Sequence, residues 1–461
     1  MTRNQFAQAV RGDKKWIENI VILGTHLLIS FFALSQVVVT QIAVAQAATD
    51  PRDTTVKLEV TLDRPDWRYN AGDTARFTVS LTRAGRAVPG ARIRVEMGHE
   101  RMKPLRTDTL GAGIRTQVVK GTLAEPGFLR ATATTVLEGV TYREMATAAF
   151  SAERIAPATT MPADFEAFWE RTIESSRSVP LEPVMTRMAR YSNADVDVFH
   201  VSFQNDRAGS RLYGMLSVPA RPGKYPAALS VPGAGVRPYF PDTALARRGV
   251  IHLRMGIHGI PVDRDSLIYN ELRATALFRY WSFGIESRDT YYYKRVFAGV
   301  VRAGDFIFSL PQFDGVNYVV QGGSQGGALA IVAGVLDKRV KGITVVHPAM
   351  SDHFGYLEGR AGGWPNIFAD TAGMRAIPEK METLRYYDAV NFARLLRVPG
   401  FYTWGYNDLT VAPTSMYAAY NLISAPKEVF VVPETGHFMV EEQNERVRAW
   451  LLEKLGVTPR R

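Results

Sequence analysis

The sequence predicts an α/β domain with a mostly parallel sheet, preceded by an all-β domain of the immunoglobulin-like sandwich class. Three observations lead to this prediction. From residue 196 onward, short apolar segments alternate with helical stretches; between residues 53 and 152, apolar and polar positions alternate instead; and a glycine-flanked serine, Ser324, joins a strand to a helix. Continuous apolar strands are typical of parallel sheets buried on both faces, whereas alternation is typical of half-buried strands. The chain of 461 residues is long enough for two or three domains.

Residues 1–47 have the pattern of an export signal. A basic start ends at Lys14-Lys15, an apolar stretch covers 20–44, and Ala45-Gln46-Ala47 provides a small-x-small cleavage pattern. Polar residues interrupt the apolar core, which is short for a membrane span of about 20 apolar residues. We therefore predict a cleaved signal peptide and an exported protein, periplasmic or secreted, with no membrane contact after cleavage. An uncleaved N-terminal anchor is the alternative.

Residues 50–153 are predicted to form the all-β domain. Segments 56–62, 75–81 and 91–97 alternate apolar and polar residues, and turn signals such as Pro89-Gly90 and Pro126-Gly127 separate such runs. About 100 residues of this kind without a helical period are typical of an antiparallel sandwich. The segment contains no nucleophile and base in a recognisable arrangement. A structural or packing role is expected, with glycan binding as the alternative.

Residues 158–461 are predicted to form the α/β domain. An apolar stripe at helical spacing first indicates a helix near 164–173. Strands are then predicted at 196–203, 213–218, 227–231, 251–255, 316–321, 342–346, 400–404 and 428–432, and helices at 293–310, 326–335 and 443–455. In such sheets, chemistry collects at the carboxyl ends of the strands.

The motif Gly322-Gly323-Ser324-Gln325-Gly326 fits the G-x-S-x-G nucleophile elbow, in which a serine is exposed on a sharp strand-to-helix turn. Taken alone, the motif could equally be a glycine-rich turn in which Ser324 only caps the helix. A serine nucleophile needs a base and a third group that orients the base, and in this fold class they follow in the order Ser, Asp or Glu, His. His437 comes directly after the last predicted strand, and Asp408 follows the strand before it. These two residues are the predicted base and acid.

The predicted oxyanion hole uses backbone N–H groups, which must point at the developing negative charge. One comes from Gln325, the residue after the candidate nucleophile. The second candidate is Ala234, in the glycine-rich turn after the strand at 227–231. For His347 and His353, which follow the strand after the elbow, structural or pocket roles are expected.

Composition excludes several classes of function. The chain has no cysteine, which excludes disulfides, thiolate metal sites and a cysteine nucleophile. The net charge of +10 is diffuse, and no block of five or more basic residues occurs, so nucleic acid is not an expected partner. A serine nucleophile with an acid–base pair needs neither a metal nor an organic cofactor, and none is predicted.

Several separated motifs resemble the acetyl xylan esterase/cephalosporin C deacetylase family over roughly residues 160–458. They are 289–297, 301–303, 308–312 and 322–327, followed by Asn407-Asp408, 418–421, 426–428 and Gly436-His437. The resemblance implies an α/β-hydrolase that removes acetyl groups from sugars or similar small alcohols by a serine mechanism. The expected partner is therefore a small-molecule or oligosaccharide ester. Ser324, Asp408 and His437 stand at its triad positions, and a small acyl pocket is implied.

The chain departs from this family at two places. Members usually carry Arg-Gly-Gln where this chain has Gly256-Ile257-His258-Gly259, and Glu after the catalytic histidine where it has Phe438. His258 is therefore a candidate pocket residue, with a structural histidine as the alternative. Trp364, inside a predicted pocket-covering segment at 359–381, is a second pocket candidate. Three alternatives stay open: a broader carboxylesterase, a serine peptidase of the same fold, and an inactive glycan-binding or scaffolding protein. A homo-oligomer is also left open.

Overall fold

A computed structural model of the chain describes residues 53–111, 116–369 and 377–457. The predicted signal peptide at 1–47 lies outside these residues. Within the described ranges, no helix has both the length and the apolar character needed to cross a membrane.

The first hundred described residues form two β-sheets. One sheet has the order β1–β3–β4, with β7 also paired to β3, and the other has the order β2–β9–β8–β5–β6. The strands are β1 Val56–Leu62, β2 Arg68–Tyr69, β3 Ala75–Arg83, β4 Arg86–Ala87, β5 Ile93–His99, β6 Arg106–Leu110, β7 Thr116–Gly121, β8 Gly127–Leu137 and β9 Val140–Phe150. In β1 and β3 every second side chain is buried, which confirms the predicted alternation. The sheets contact each other through β1, which lies against β8 and β9. We call residues 53–154 the N-terminal β region.

The rest of the chain is built around one sheet of nine strands, in the order β10–β11–β12–β14–β13–β15–β16–β17–β18. These strands are β10 Val184–Arg187, β11 Val196–Gln204, β12 Arg211–Pro219, β13 Tyr225–Val231, β14 Ile251–Met255, β15 Phe313–Gly323, β16 Gly342–Val346, β17 Gly400–Trp404 and β18 Lys427–Val431. Pairing is antiparallel from β10 to β14 and parallel from β14 to β18. Parallel strands place their carboxyl ends on one edge of the sheet, and the candidate site residues follow those ends.

Helices cover both faces of this sheet. They are α1 Phe165–Arg177, α2 Ser266–Ala274, α3 Tyr292–Ser309, α4 Gln325–Leu336, α5 Pro378–Tyr387, α6 Ala389–Leu395, α7 Pro413–Tyr420 and α8 Glu441–Lys454. On one face α4 is packed among β15, β16, α1, α3 and α6. On the other face, Leu451 and Leu452 of α8 pack with Ala228 and Val319 in a separate apolar cluster. The sheet is thus buried on both sides, as its apolar strands predicted.

Candidate active site

Ser324 lies at the junction of β15 and α4, in a turn that only glycine neighbours permit. Its backbone has φ 59° and ψ −125°, a conformation that non-glycine residues rarely adopt. A Cβ on Gly322 would lie 2.2 Å from the carbonyl oxygen of Gly326, and a Cβ on Gly326 would lie 2.4 Å from that of Val231. The Ser324 side chain makes no capping hydrogen bond to the helix. The geometry therefore matches an elbow that leaves the hydroxyl free, and not the alternative of a simple helix cap.

Asp408 and His437 form the candidate acid–base pair. Asp408 follows β17 and is fully buried, and His437 follows β18. The Nδ1 atom of His437 lies 2.7 Å from Oδ2 of Asp408. The other carboxylate oxygen, Oδ1, accepts hydrogen bonds from the N–H groups of Thr410 at 2.7 Å and Val411 at 2.9 Å. An ionised carboxylate only accepts, so Nδ1 of His437 carries the proton and Nε2 is left as an acceptor.

The loop after β16 connects these residues to the elbow. The N–H of Ser324 donates to the carbonyl of Val346 at 2.8 Å, and the next residue is His347. The ring centroid of His347 lies 5.1 Å from that of His437. Burial lowers the pKa of His347 to about 4, although the negative charge of Asp408 opposes that shift. His347 is therefore a neutral neighbour of the acid–base pair at neutral pH.

His347, Asp408 and His437 could also be considered as metal ligands, because one ligand atom from each lies within 4.8 Å of the others. The distance between the Asp408 and His437 atoms argues against that use. Two ligand atoms bound tetrahedrally to zinc at about 2.0 Å lie about 3.3 Å from each other. By contrast, Nδ1 of His437 and Oδ2 of Asp408 are 2.7 Å apart. That spacing is a hydrogen bond, as a histidine base and its orienting acid require.

Gln325 and the turn around Ala234 form the candidate oxyanion hole. As the first residue of α4, Gln325 has an N–H without an intrahelical partner. The facing turn is close, since a Cβ on Gly233 would lie 3.8 Å from Cβ of Ser324. The phenolic oxygen of Tyr280 connects the two sides: it accepts from the N–H of Gly235 at 3.3 Å and donates to Oε1 of Gln325 at 2.8 Å.

The side chain of Gln325 is fully buried and held at both ends. Its Oε1 atom also accepts from the hydroxyl of Tyr293 at 2.7 Å, and its Nε2 atom donates to the carbonyl of Pro232 at 3.2 Å. Sequence reasoning missed both tyrosines as site residues. Tyr293 lies within the family motif at 289–297, which was a usable signal, whereas Tyr280 lies outside every quoted motif.

His258 is hydrogen-bonded to the turn that contains the oxyanion-hole candidate Ala234. Its Nε2 atom lies 3.0 Å from the carbonyl oxygen of Gly235, and its Nδ1 atom lies 2.7 Å from the hydroxyl of Tyr292. A carbonyl can only accept, so Nε2 carries the proton and Nδ1 accepts from Tyr292. Burial lowers the pKa of His258 to about 4. Both ring nitrogens are thus occupied by protein groups, which matches the structural alternative for His258 more closely than direct substrate binding.

Trp364 lies in the loop region next to the elbow. Its carbonyl accepts from the N–H of Met350, and the preceding residue, Ala349, donates to the carbonyl of Ser324 at 3.0 Å. The ring of Trp364 lies 5.5 Å from that of Trp281, whose neighbour Tyr280 contacts Gln325. This position fits the predicted pocket role. Residues 370–376 of the predicted covering segment lie outside the described part of the chain.

Comparison with known proteins gives a consistent result. Residues 145–454 match the family model described as acetyl xylan esterase (AXE1). The chain is 37% identical over 393 residues to the acetyl esterase Axe7A of Xylanibacter ruminicola, an alignment that covers 84% of this chain and 88% of that protein.

Two solved structures resemble about two thirds of the chain. An acetyl xylan esterase from Paenibacillus sp. R4 is 25% identical with a TM-score of 0.57, and covers 66% of this chain and 98% of its own. Acetyl xylan esterase 1 from Thermoanaerobacterium sp. JW/SL YS485 has a TM-score of 0.58 at 20% identity, and covers 66% and 97%. The second likeness concerns the fold alone. Together with the nine-stranded sheet, these neighbours confirm the predicted α/β-hydrolase fold.

Proposed function

The chain belongs to the acetyl xylan esterase family, and from this membership we propose that Ser324, His437 and Asp408 are the triad of a serine esterase. The protein is a carboxylic ester hydrolase of the acetyl xylan esterase type, which removes acetyl groups from small-molecule or oligosaccharide esters. One observation carries the assignment of residues. The hydrogen bond of 2.7 Å between His437 and Asp408 lies at the same edge of the sheet as the strained turn at Ser324.

In the proposed reaction, Oγ of Ser324 attacks the acetyl carbonyl while Nε2 of His437 takes the hydroxyl proton. The N–H groups of Gln325 and Ala234 stabilise the negative oxygen of the tetrahedral intermediate. When the C–O bond to the sugar breaks, His437 returns the proton to the departing alcohol, and the acetyl group remains on Ser324. Water then attacks the acetyl carbonyl, giving its proton to His437, and acetate leaves as Ser324 recovers its hydrogen.

Asp408 remains ionised throughout this cycle. It holds Nδ1 of His437 in the donating tautomer, which is the only one that leaves Nε2 free to accept the proton of Ser324. The two N–H bonds to its other oxygen prevent the carboxylate from turning away. Asp408 therefore orients and stabilises the imidazolium without itself taking the proton.

The proposal extends to the rest of the chain. Residues 50–153 are assigned as an immunoglobulin-like sandwich domain and 158–461 as the catalytic domain, an assignment supported by the separate sheets of the two parts. Residues 1–47 are assigned as a signal peptide of an exported enzyme, on the strength of the sequence pattern. His258 and Trp364 are assigned to the surroundings of the oxyanion turn and the acyl pocket.

A substrate panel on the purified mature chain tests the function. It compares acetylated xylan oligosaccharides, short aryl esters and aminoacyl arylamides at equal concentration. Acetate release from the acetylated saccharides and aryl acetates, without cleavage of the arylamides, is the expected result. Cleavage of arylamides would indicate the peptidase alternative, and no turnover of any substrate would indicate the inactive binding protein.

A further inference from the structure

The loop that carries the candidate acid is bound by the N-terminal β region. This loop begins after β17 at Tyr406 and continues to Thr414 in the first turn of α7, and it holds Asp408 near its start. The strands that face it are β8 and β9, in which Arg130 and Thr147 are directly opposite each other. We propose that Arg130 is a positioning residue for ester hydrolysis, acting by fixing the backbone of Asp408. The inference rests on the proposed triad.

Arg130 donates to the backbone of the acid itself. Its Nη2 atom lies 2.9 Å from the carbonyl oxygen of Tyr406 and 3.1 Å from that of Asp408. Its Nε atom lies 2.8 Å from Oγ1 of Thr147, which keeps the guanidinium plane in one orientation. The side chain is buried, with a residue exposure of 6%. Since carbonyl groups only accept and the guanidinium only donates, each of these bonds has one possible direction.

The residue between these two carbonyls is bound as well. The hydroxyl of Thr147 donates to Oδ1 of Asn407 at 2.9 Å, and Nδ2 of Asn407 donates to the carbonyl of Met145 at 3.1 Å. Three consecutive residues, from Tyr406 to Asp408, are therefore hydrogen-bonded to β8 or β9. Displacement of the acid would break several buried bonds at once.

The far end of the loop is held by two more residues of the N-terminal β region. The guanidinium of Arg101 donates to the carbonyls of Leu409 and Thr410. The carboxylate of Glu100 accepts from the N–H of Thr414 at 3.0 Å and from its hydroxyl. Between these anchors lie the N–H groups of Thr410 and Val411 that bind the Asp408 carboxylate. We call these anchors, Arg130, Thr147, Arg101 and Glu100, the clamp. They lie on both sides of the segment that orients the Asp408 carboxylate.

The burial of β8 indicates that Arg130 lies on the face of this strand that packs against the loop after β17. The first seven residues of this strand are buried on both faces, whereas a strand of a free-standing sandwich has one exposed face. Phe128, two residues before Arg130 and on the same face, packs its ring 5.1 Å from that of Tyr406. An apolar side chain would have sufficed for packing alone, because burying a cation is costly unless its partners are in place. Arg130 also lies outside residues 145–454, the part of the chain that matches the family model.

The first experiment compares two arginines of the same region. Arg130→Met removes the hydrogen bonds from Arg130 to Thr147, Tyr406 and Asp408 while keeping an unbranched side chain. Arg106→Met is the control, because the Arg106 side chain hydrogen-bonds to Asp108 and Lys120 of its own region. A shift of about 1 Å in a catalytic group can cost about 10²-fold, so we expect kcat of Arg130→Met on an aryl acetate to fall about 10-fold to 100-fold, with KM little changed. Arg106→Met should retain wild-type kcat and KM.

A double-mutant cycle then separates positioning from general destabilisation. If Arg130 acts through Asp408, Arg130→Met should cost little further activity in an Asp408→Asn background, since the step it supports is already lost. An equal loss in both backgrounds would contradict the inference. If Asp408→Asn is severe while Arg130→Met matches Arg106→Met, the inference alone is wrong. If Asp408→Asn has wild-type activity, the proposed triad fails and the inference falls with it.

A milder variant covers the case in which Arg130→Met does not fold. Thr147→Val keeps the β-branched shape on β9 and removes the hydroxyl that binds both Arg130 and Asn407. It should lower kcat several-fold and show the same non-additivity with Asp408→Asn. Arg130→Lys keeps the charge and should recover part of the kcat lost in Arg130→Met. Wild-type kcat in a folded Thr147→Val protein would contradict the positioning role of the bonds that Thr147 makes with Arg130 and Asn407.

Discussion

His437 and Asp408 are separated by 29 residues in the chain, yet Nδ1 of the first lies 2.7 Å from Oδ2 of the second. The contact exists because β17 and β18 are adjacent and parallel, so that the loops after them meet at one edge. The same edge receives Ser324 from β15, two strands away in the sheet. The order Ser, Asp, His along the chain thus brings all three residues to one edge of the sheet.

Asp408→Asn should strongly reduce kcat while changing the structure little. The amide can offer a donor to His437 and thereby hold the imidazole in the wrong tautomer, and a loss on the order of 10⁴ in kcat has precedent in another serine hydrolase. Steady-state kinetics on an aryl acetate, with circular dichroism to check the fold, measures the effect. A loss of less than 10-fold in a folded variant would contradict the role of the acid.

The enzyme should prefer acetyl over longer acyl groups, because the family resemblance implies a small acyl pocket. Overfilling a packed pocket costs roughly 1–3 kcal/mol, by analogy with overpacked cores. That cost corresponds to about one or two decades in kcat/KM, at 1.36 kcal/mol per tenfold. The measurement compares acetyl, butyryl and octanoyl esters of one alcohol. An octanoyl ester hydrolysed as well as the acetyl ester would be incompatible with a deacetylase pocket.

His258→Leu should loosen the oxyanion turn. The substitution removes the bond to the Gly235 carbonyl and leaves the hydroxyl of Tyr292 with the carbonyl of Ile257, 3.3 Å away, as its remaining acceptor. Losing a direct oxyanion donor costs about 10² to 10³ in kcat, so an indirect support should cost about tenfold. Tyr292→Phe should give a smaller loss in the same direction. The control is His200→Leu, because His200 lies on β11 and is paired with Asp263. Equal kinetics in all three variants would refute the role of His258 in supporting the oxyanion turn.

Stability should decrease in mild acid, partly through His252. Its Nδ1 atom lies 3.2 Å from the carbonyl of Asp242, and Nε2 lies 2.7 Å from Oγ of Ser230. Burial lowers the pKa of His252 from 6.5 to about 4. Between these values the unfolded chain binds more protons than the folded one, so this contribution is complete above about pH 6.5 and is lost as the pH falls through about 4.

The contribution of His252 is on the order of 3 kcal/mol, at 1.36 kcal/mol per unit of pKa. Urea unfolding between pH 4 and pH 7 should therefore show a free energy of unfolding that falls toward acid. The fall should be shallower in His252→Gln, while the other buried histidines still contribute. Identical pH profiles of the two proteins would show that His252 does not titrate as described.

Much of the fold was predictable because its strands are short apolar runs between turn signals. The bounds of β14, β16 and β17 agree with the predicted ones. The sequence did not reveal β10, since Val184–Arg187 is an exposed edge strand and carries no apolar pattern. A strand held mainly by ladder hydrogen bonds to one neighbour leaves little trace in the residue types.

The candidate triad was predictable because each member follows a strand end and the order of residues is constrained by the fold. The supporting contacts were not, because they join distant parts of the chain. Tyr280 and Gln325 are 45 residues apart, and Arg130 and Asp408 are 278 apart. In the sequence, Arg130 is simply a polar position in an alternating strand. Only the packing of β8 against the loop after β17 buries it, and no local pattern records that contact.

The most direct test of the account is the turnover of Ser324→Ala on an aryl acetate, measured beside the wild-type chain. The hydroxyl is the proposed nucleophile, and the triad acts as a unit, so kcat should fall by several orders of magnitude, with about 10⁶ known for another serine hydrolase. The wild-type protein, but not the variant, should carry an acetyl group on the peptide containing Ser324 when quenched during turnover. Undiminished turnover by a folded Ser324→Ala protein would contradict the mechanism.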